Sequence, residues 1–422
     1  MTPLGRTIAR WITDHGYESA NQTLRDAVRE HKINPETDIS IRGLAEGMLG
    51  EDWVGKVKAY KDNPYRARES ADAVDASVFA SITGNLLIDT IREKYKNPEF
   101  IGDSITTKIP ITNGNLESII EPYLSDVATP GDDAIIQPGM PYPSATFGPN
   151  YISLVKPVKY GLRCDVTWES IYADRTRQII ESAQSIGKAI GRAKEYRILK
   201  CLLGLTNNYT FSRDGGAATT YATYQETLVT GRWVNHLDSQ TLNNWEDLNA
   251  VQQLFNEMRD PVTGEPIEID ANTLVVMPQL LMTANHILHS TQIRRGDGGV
   301  ADATATYAPS GVKPYNVLTS KYLYKLASTQ ASGAWTQQDN STTQSVTAAQ
   351  AAQMWFVGDL PKAFYYREVY PLEVIQAPPL NPLDFDKDIV LSVKAREYGA
   401  AGVRDPRYVV RCTNFNFMTA TT

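Results

Sequence analysis

A chain of 422 residues with 41 Lys and Arg, 48 Asp and Glu, a formal net charge of −7 and 42% hydrophobic residues has the composition of an ordinary folded protein, long enough for two or three compact regions. That length supports a sizeable core without disulfide or metal staples, and the mild acidity, with no long Lys/Arg run, argues against a dedicated nucleic-acid binder. The three cysteines, Cys164, Cys201 and Cys412, are far apart and outside any CxxC pair, which excludes a disulfide framework and points to a reducing cytoplasm; neither a secretory signal nor a membrane-length apolar stretch is found.

Residues 1–75 read as short helices in a polar setting, with scattered apolar positions such as Ile8, Trp11, Leu24, Leu44, Trp53 and Val57. Their apolar faces are narrow, and short helices seldom hold together alone. The segment is therefore expected to be an arm that packs on something else. Residues 71–95 are a stronger helix, with Phe79, Ile82, Leu86 and Ile91 near helical spacing. Ile105, Thr107, Ile109 and Ile111 then alternate as a strand that Pro110 confines to an edge. Prolines at 122, 130, 138, 141, 143 and 149, with four glycines, punctuate an extended loop. The strand pattern returns over 152–166, where Val158, Tyr160 and Leu162 alternate with Lys159, Gly161 and Arg163. Two strands flanking so long an excursion predict one elongated hairpin.

Residues 168–203 read as one continuous helix, with Thr167 as N-cap and Glu169 in the first turn. At 1.5 Å per residue it would span about 54 Å. Ile179, Ala183, Ile186, Ile190 and Ala193 mark an apolar stripe expected to pack on a C-terminal sheet, and Gly187 and Gly191 would let another backbone come close. A helix over 245–258 carries Leu248, Val251, Phe255 and Met258; a buried strand over 273–277 leads through Pro278 into another helix. Residues 294–311 read as a mobile loop and 328–350 as an exposed low-complexity stretch. Strands follow over 355–358, 364–375, 388–399 and 408–412; in the third, Ile389, Leu391, Val393 and Ala395 alternate with polar neighbours. The layout is α+β.

The chemistry search is brief. His286 and His289 sit three apart on one helix, without the further ligands a zinc site needs, and read as a surface pair. No nucleophile elbow and no phosphate-binding loop is present. The run from Arg295 to Gly299 reads as flexible surface, and Cys164 as a buried structural thiol. No catalytic, metal or cofactor-binding residue is expected.

The order of these elements resembles the major capsid proteins of tailed bacteriophages, with their Hong Kong 97-type fold. VKAREYG at 393–399 followed by GVRDPR at 402–407 is the most telling local match, beside LVVMPQLLMTANHIL at 274–288, GVKPYNVLTSKYL at 311–323 and the strands beginning WFVGDLP at 355. The likeness covers roughly residues 75–412. It implies an N-terminal arm with a helical extension over 1–104 and an extended β-hairpin, the E-loop, over 105–165. A long spine helix and the start of a peripheral domain would fill 166–243, an axial domain 244–363, and closing strands of the peripheral domain 364–422. The resemblance further implies a late, structural, non-enzymatic protein that self-assembles through pentamers and hexamers into the icosahedral head of a tailed phage or prophage. It would be built in the host cytoplasm, end in the virion capsid, enclose double-stranded DNA without sequence specificity, and work with scaffold, portal and decoration proteins away from any membrane. Intersubunit contacts are expected at Tyr123, Tyr142, Phe147, Lys108, Arg294 and Arg295. Two alternatives stand beside it: an encapsulin-like nanocompartment shell, and an α+β enzyme with a long lid.

Overall fold

The computed structural model describes residues 17–30, 40–50, 52–62, 71–111, 120–122, 151–173, 178–206, 209–212, 219–225, 233–238, 240–259, 266–289, 292–295, 306–309, 313–329, 335–336, 343–344, 346–377 and 388–414, with Thr7, Arg10, Trp11, Asp14, Lys32 and Ile33. In chain order the main helices are α1 (Tyr17–Arg29), α2 (Ile41–Leu49), α3 (Trp53–Asp62), α4 (Ala71–Tyr95), α5 (Trp168–Ala173), α6 (Gln178–Leu203), α7 (Trp245–Glu257), α8 (Leu281–His289) and α9 (Lys321–Thr329). The strands are β1 (Thr107–Pro110), β2 (Ile120–Pro122), β3 (Tyr151–Ser153), β4 (Val158–Thr167), β5 (Tyr209–Ser212), β6 (Thr219–Tyr221), β7 (His236–Leu237), β8 (Thr273–Val276), β9 (Gln292–Arg295), β10 (Thr306–Pro309), β11 (Asn316–Thr319), β12 (Trp335–Thr336), β13 (Thr343–Gln344), β14 (Trp355–Gly358), β15 (Phe364–Gln376), β16 (Ile389–Val403) and β17 (Val409–Cys412). They fall into two units: Met1–Pro98, Val158–Lys194 and Tyr370–Tyr398 form the first, and Glu99–Pro157, Glu195–Val369 and Gly399–Thr422 the second.

The first unit has a helical core that the sequence reading did not foresee. Leu24, Ile41, Leu44, Leu49, Trp53 and Val57 are buried together with Phe79, Ile82, Leu86 and Ile91 of α4. The helices expected as an arm packing on something else thus find that partner in their own chain. The Ser40 side chain caps α2 by accepting from the Gly43 amide, and Arg25 pairs with Asp89 at 2.7 Å. The stripe on α6 joins the same cluster: Ile179, Ala183 and Ile190 are buried with Leu391, Val393 and Ala395 of β16, the expected C-terminal strand, while Ile186 is only half-buried. Gly187 supplies the close approach: a Cβ there would lie 2.5 Å from the Ile91 carbonyl oxygen. Within this unit β4 lies beside β16, which lies beside the later residues of β15. The helix expected over 168–203 is described as α5 and α6, and residues 174–177 lie outside the described residues. Thr167 Oγ1 does accept from the Ser170 amide at its start.

The second unit is built on a mixed five-stranded sheet in the order β11-β8-β14-β17-β7. β14 and β17 are buried at every residue because apolar groups cover both faces. Leu248, Val251 and Phe255 of α7, Ala284 and Ile287 of α8, and Leu323 and Leu326 of α9 share this core. α7 opens with a capping box between Asn244 and Asp247. Glu195 is buried, and each of its carboxylate oxygens accepts a backbone amide, from Ile101 and Gly102, at 2.9 Å.

Three expectations are corrected here. The strand at 105–111 does not pair with 152–166. Instead β1 pairs parallel with β15, Thr107 opposite Tyr365 and Pro110 opposite Glu368, while the antiparallel partners are β2 and β3. Parallel pairing of segments so distant in sequence leaves no local signature. The stretch at 294–311 is not simply loop, since β9 ends in it and pairs antiparallel with β10. Inside 328–350, β12 and β13 pair and Val346 is buried, so apolar residues set among polar repeats still reach the core.

Candidate assembly surface

β4 changes character halfway along. Cys164 and Val166 are buried, whereas the preceding residues 158–163 are exposed or half-exposed on both faces. Val158 is 51% and Leu162 45% exposed, with half-exposed Tyr160 between them on the same face. Gly161 holds the ribbon against its neighbour, since a Cβ there would stand 2.9 Å from the Ala395 carbonyl oxygen. Lys159 and Arg163 lie on the opposite side, and Arg163 pairs with Asp165. Asp165 also accepts from the Ser392 hydroxyl at 2.7 Å, pinning β4 to β16 just where burial begins.

The β15–β16 pair adds rigid aromatic surface to the same unit. Arg396 bonds Glu373 at 2.8 Å and lies 5.1 Å over the Tyr370 ring, and Tyr370 meets Tyr398 edge to face at 5.5 Å. Ile375 on β15 is also exposed. Fixed aromatic side chains and accessible aliphatic groups bordered by charge are the composition of protein interfaces.

Of the contact residues singled out by sequence, only Lys108 has a described side chain. Lys108 is an exposed side chain on β1, 3.4 Å from Asp103. Arg294 and Arg295 lie on β9 opposite Tyr307 and Thr306. The side chains of both arginines lie outside the described residues, as do Tyr123, Tyr142 and Phe147 altogether. Val158 and Leu162 went unselected although their alternation was visible; periodicity reports a strand, not which of its faces has an intrachain partner.

Burial, assisted by Asp165, pushes the Cys164 thiol up, and burial pushes Cys412 well up, so neither is a ready thiolate. His286 and His289 are on the exposed face of α8, opposite Ala284 and Ile287. Among the described residues no three His, Cys, Asp or Glu side chains cluster to hold a metal ion. Arg407, locked to Asp405 in the core, is lowered by burial to about 10 and stays charged at neutral pH.

Comparison with known families finds one match: the profile described as phage capsid protein fits residues 151–412. No curated protein matches the chain. Among solved structures, the capsid of cyanophage P-SCSP1u is similar at 13% identity and a TM-score of 0.42, over 75% of this chain and 88% of that one. The mature capsid of bacteriophage PhiM1 is similar at 12% identity and 0.41, over 75% and 87%. Mycobacterium phage Ogopogo follows at 16% identity and 0.39, over 75% and 92%.

Proposed function

Because this chain belongs to the phage capsid protein family, we propose that it is the repeating structural subunit of a phage head. The observation that carries this reading is the family match over residues 151–412, which includes α6, the five-stranded sheet and all the C-terminal strands. The role is geometric, and a Hong Kong 97-type shell is the architecture it calls for. Many copies close into pentamers and hexamers around double-stranded DNA, which the mildly acidic chain encloses without reading sequence.

The exposed ribbon of β4 supports the same reading from the structure. Val158 and Leu162 present apolar surface outside the core of their own unit. Permanent protein interfaces typically bury about 2,000–5,000 Å², and projecting elements that lie on a neighbour supply such area. Within 105–165, the stretch between β1 and β3 and the exposed start of β4 are the proposed reach across that neighbour, with Tyr123, Tyr142, Phe147 and Lys108 as contacts, and with Arg294 and Arg295 contributing from elsewhere in the chain. Scaffold, portal and decoration proteins are further proposed partners, with assembly in the host cytoplasm and residence in the virion. No described helix is long and apolar enough to cross a membrane.

The decisive experiment is sedimentation and negative-stain imaging of the purified full chain, with a nucleic-acid assay on particles from infected cells. Closed megadalton shells that hold DNA are expected. A monomer or small oligomer under all assembly conditions overturns the reading, and shells that hold protein cargo instead favour a nanocompartment.

A further inference from the structure

The first unit carries a ridge of basic side chains where α4 meets α6. A Cβ at Gly187 would stand 2.5 Å from the Ile91 carbonyl oxygen and 3.2 Å from the Ile91 Cα, so the two helices touch backbone to backbone there. The next residue on each helix is a cation, Arg92 and Lys188, and both are exposed. Arg192 lies one turn beyond Lys188, and Lys96 follows the end of α4; they too are exposed. On α6 the exposed residues Glu181, Ser185, Lys188 and Arg192 step by four, three and four. They form one stripe, opposite the buried Ile179, Ala183 and Ile190.

The fold itself does not account for these cations. Among the described residues none of the four side chains pairs with a carboxylate, whereas Arg25, Arg42, Arg163 and Arg396 of the same unit each do. The exposed carboxylates described on the two helices are Glu93, set off from Arg92 around α4, and Glu181, two turns before Lys188. Asp89 is held by Arg25. The negative end of α4 favours Arg92 in its last turn and Lys96 beyond it. Lys188 and Arg192 stand in the middle of α6, where no helix end favours them, and like charges four apart weaken a helix.

We infer that this ridge lies on the lumenal side of the shell and holds phosphates of the packaged duplex. The inference rests on the head-subunit reading above and adds which face of the subunit meets DNA. Long, flexible cations along a helix follow phosphate oxygens and carry no sequence information. Each phosphate they neutralise releases a counterion from the duplex, so binding falls with salt at a slope of about −0.9 per phosphate. Four contacts on one subunit are weak, and repetition of the ridge on every copy in the shell multiplies them. A local basic ridge on a chain of net charge −7 gives such binding without a general affinity for nucleic acid.

The test is binding of the unassembled full chain to a short fluorescent duplex of random sequence, followed by anisotropy over a series of salt concentrations. For four neutralised phosphates the slope of log affinity against log salt should be about −3 to −4. Lys188→Gln combined with Arg192→Gln should bring it to about −2, while the variant still sediments as closed shells. Should the double variant not fold, Lys188→Gln alone should make the slope shallower by about 1. In DNA-filled wild-type shells, a small acetylating reagent should modify Lys188 and Lys96 less than in emptied ones. A variant with the wild-type slope, or lysines modified equally in filled and emptied shells, overturns the ridge. Closed shells would then leave the head-subunit reading standing. Wild-type chain that ignores the duplex, with a variant that cannot close shells, would place an acidic protein surface on the ridge and also overturns the proposal. A wild-type chain that never forms shells overturns both readings.

Discussion

β14 and the first half of β4 are both short strands with apolar residues, and they meet opposite fates. Trp355, Phe356 and Val357 have no accessible surface and are enclosed from both sides within the second unit, whereas Val158 and Leu162 keep about half of theirs. The difference is one of supply. α7, α8 and α9 bring apolar groups to the sheet of β14, while among the described residues the beginning of β4 receives none from the core of its own unit. Where a chain spends hydrophobic residues on a strand without covering them, their partner is to be sought on another molecule.

Four variants put this contrast under strain. Trp355→Ala should cost about 3–5 kcal/mol by the usual penalty for deleting a buried indole, and it also breaks the bond from Nε1 to the Gln240 carbonyl at 3.1 Å. Urea unfolding of the free subunit measures it, and a loss under 1 kcal/mol (about a fivefold change in equilibrium) would deny that this strand is core. Gly187→Ala comes next. Alanine favours a helix by about 1 kcal/mol, but its Cβ would meet the Ile91 backbone oxygen at 2.5 Å, which has no flexible side chain to yield. A net loss of about 1–2 kcal/mol is expected, read as a lowered thermal midpoint; a more stable variant would mean that α4 and α6 stand further apart.

Asp89→Asn should be milder, at about 0.5–1 kcal/mol, since the pair it breaks with Arg25 is partly accessible at 29% and 20%. Its loss in high salt would show up as a shrinking difference from the wild type. The double change Val158→Ser with Leu162→Ser is expected to move subunit stability by no more than about 0.5 kcal/mol and yet to block shell closure, as sedimentation reports. Normal shells from that variant would end the argument that the exposed face of β4 is an assembly surface.

What could be read from sequence was what short-range periodicity records. The helix at 71–95 is observed as Ala71–Tyr95 with Phe79, Ile82, Leu86 and Ile91 inward, and the alternation at 389–395 faces the core as expected. What failed was partnership. Nothing local in 41–57 says that its apolar residues fit α4, and nothing in 105–111 says that its partner is 365–368. Lys194 and Glu195 look like surface charge in a helical wheel, but both are buried, the first over the Tyr95 ring and the second on two backbone amides. Of the proposed contact residues, only Lys108 has a described side chain, and it is exposed with Asp103 beside it. The better-supported apolar patch at Val158 and Leu162 needed the burial pattern to be seen.

The pairing of β1 with β15 also sets a clock. Thr107 leaves the ribosome some 258 residues before Tyr365, its partner across the sheet. At typical synthesis rates of about 5–20 residues per second, β1 waits roughly 10–50 s for the strand that completes it. Contacts so remote in sequence slow folding in a released chain as well. A subunit made in many copies thus spends its most adhesive interval with an unpaired strand edge, and the speed of translation becomes one of the quantities that decide how much of it reaches the folded state.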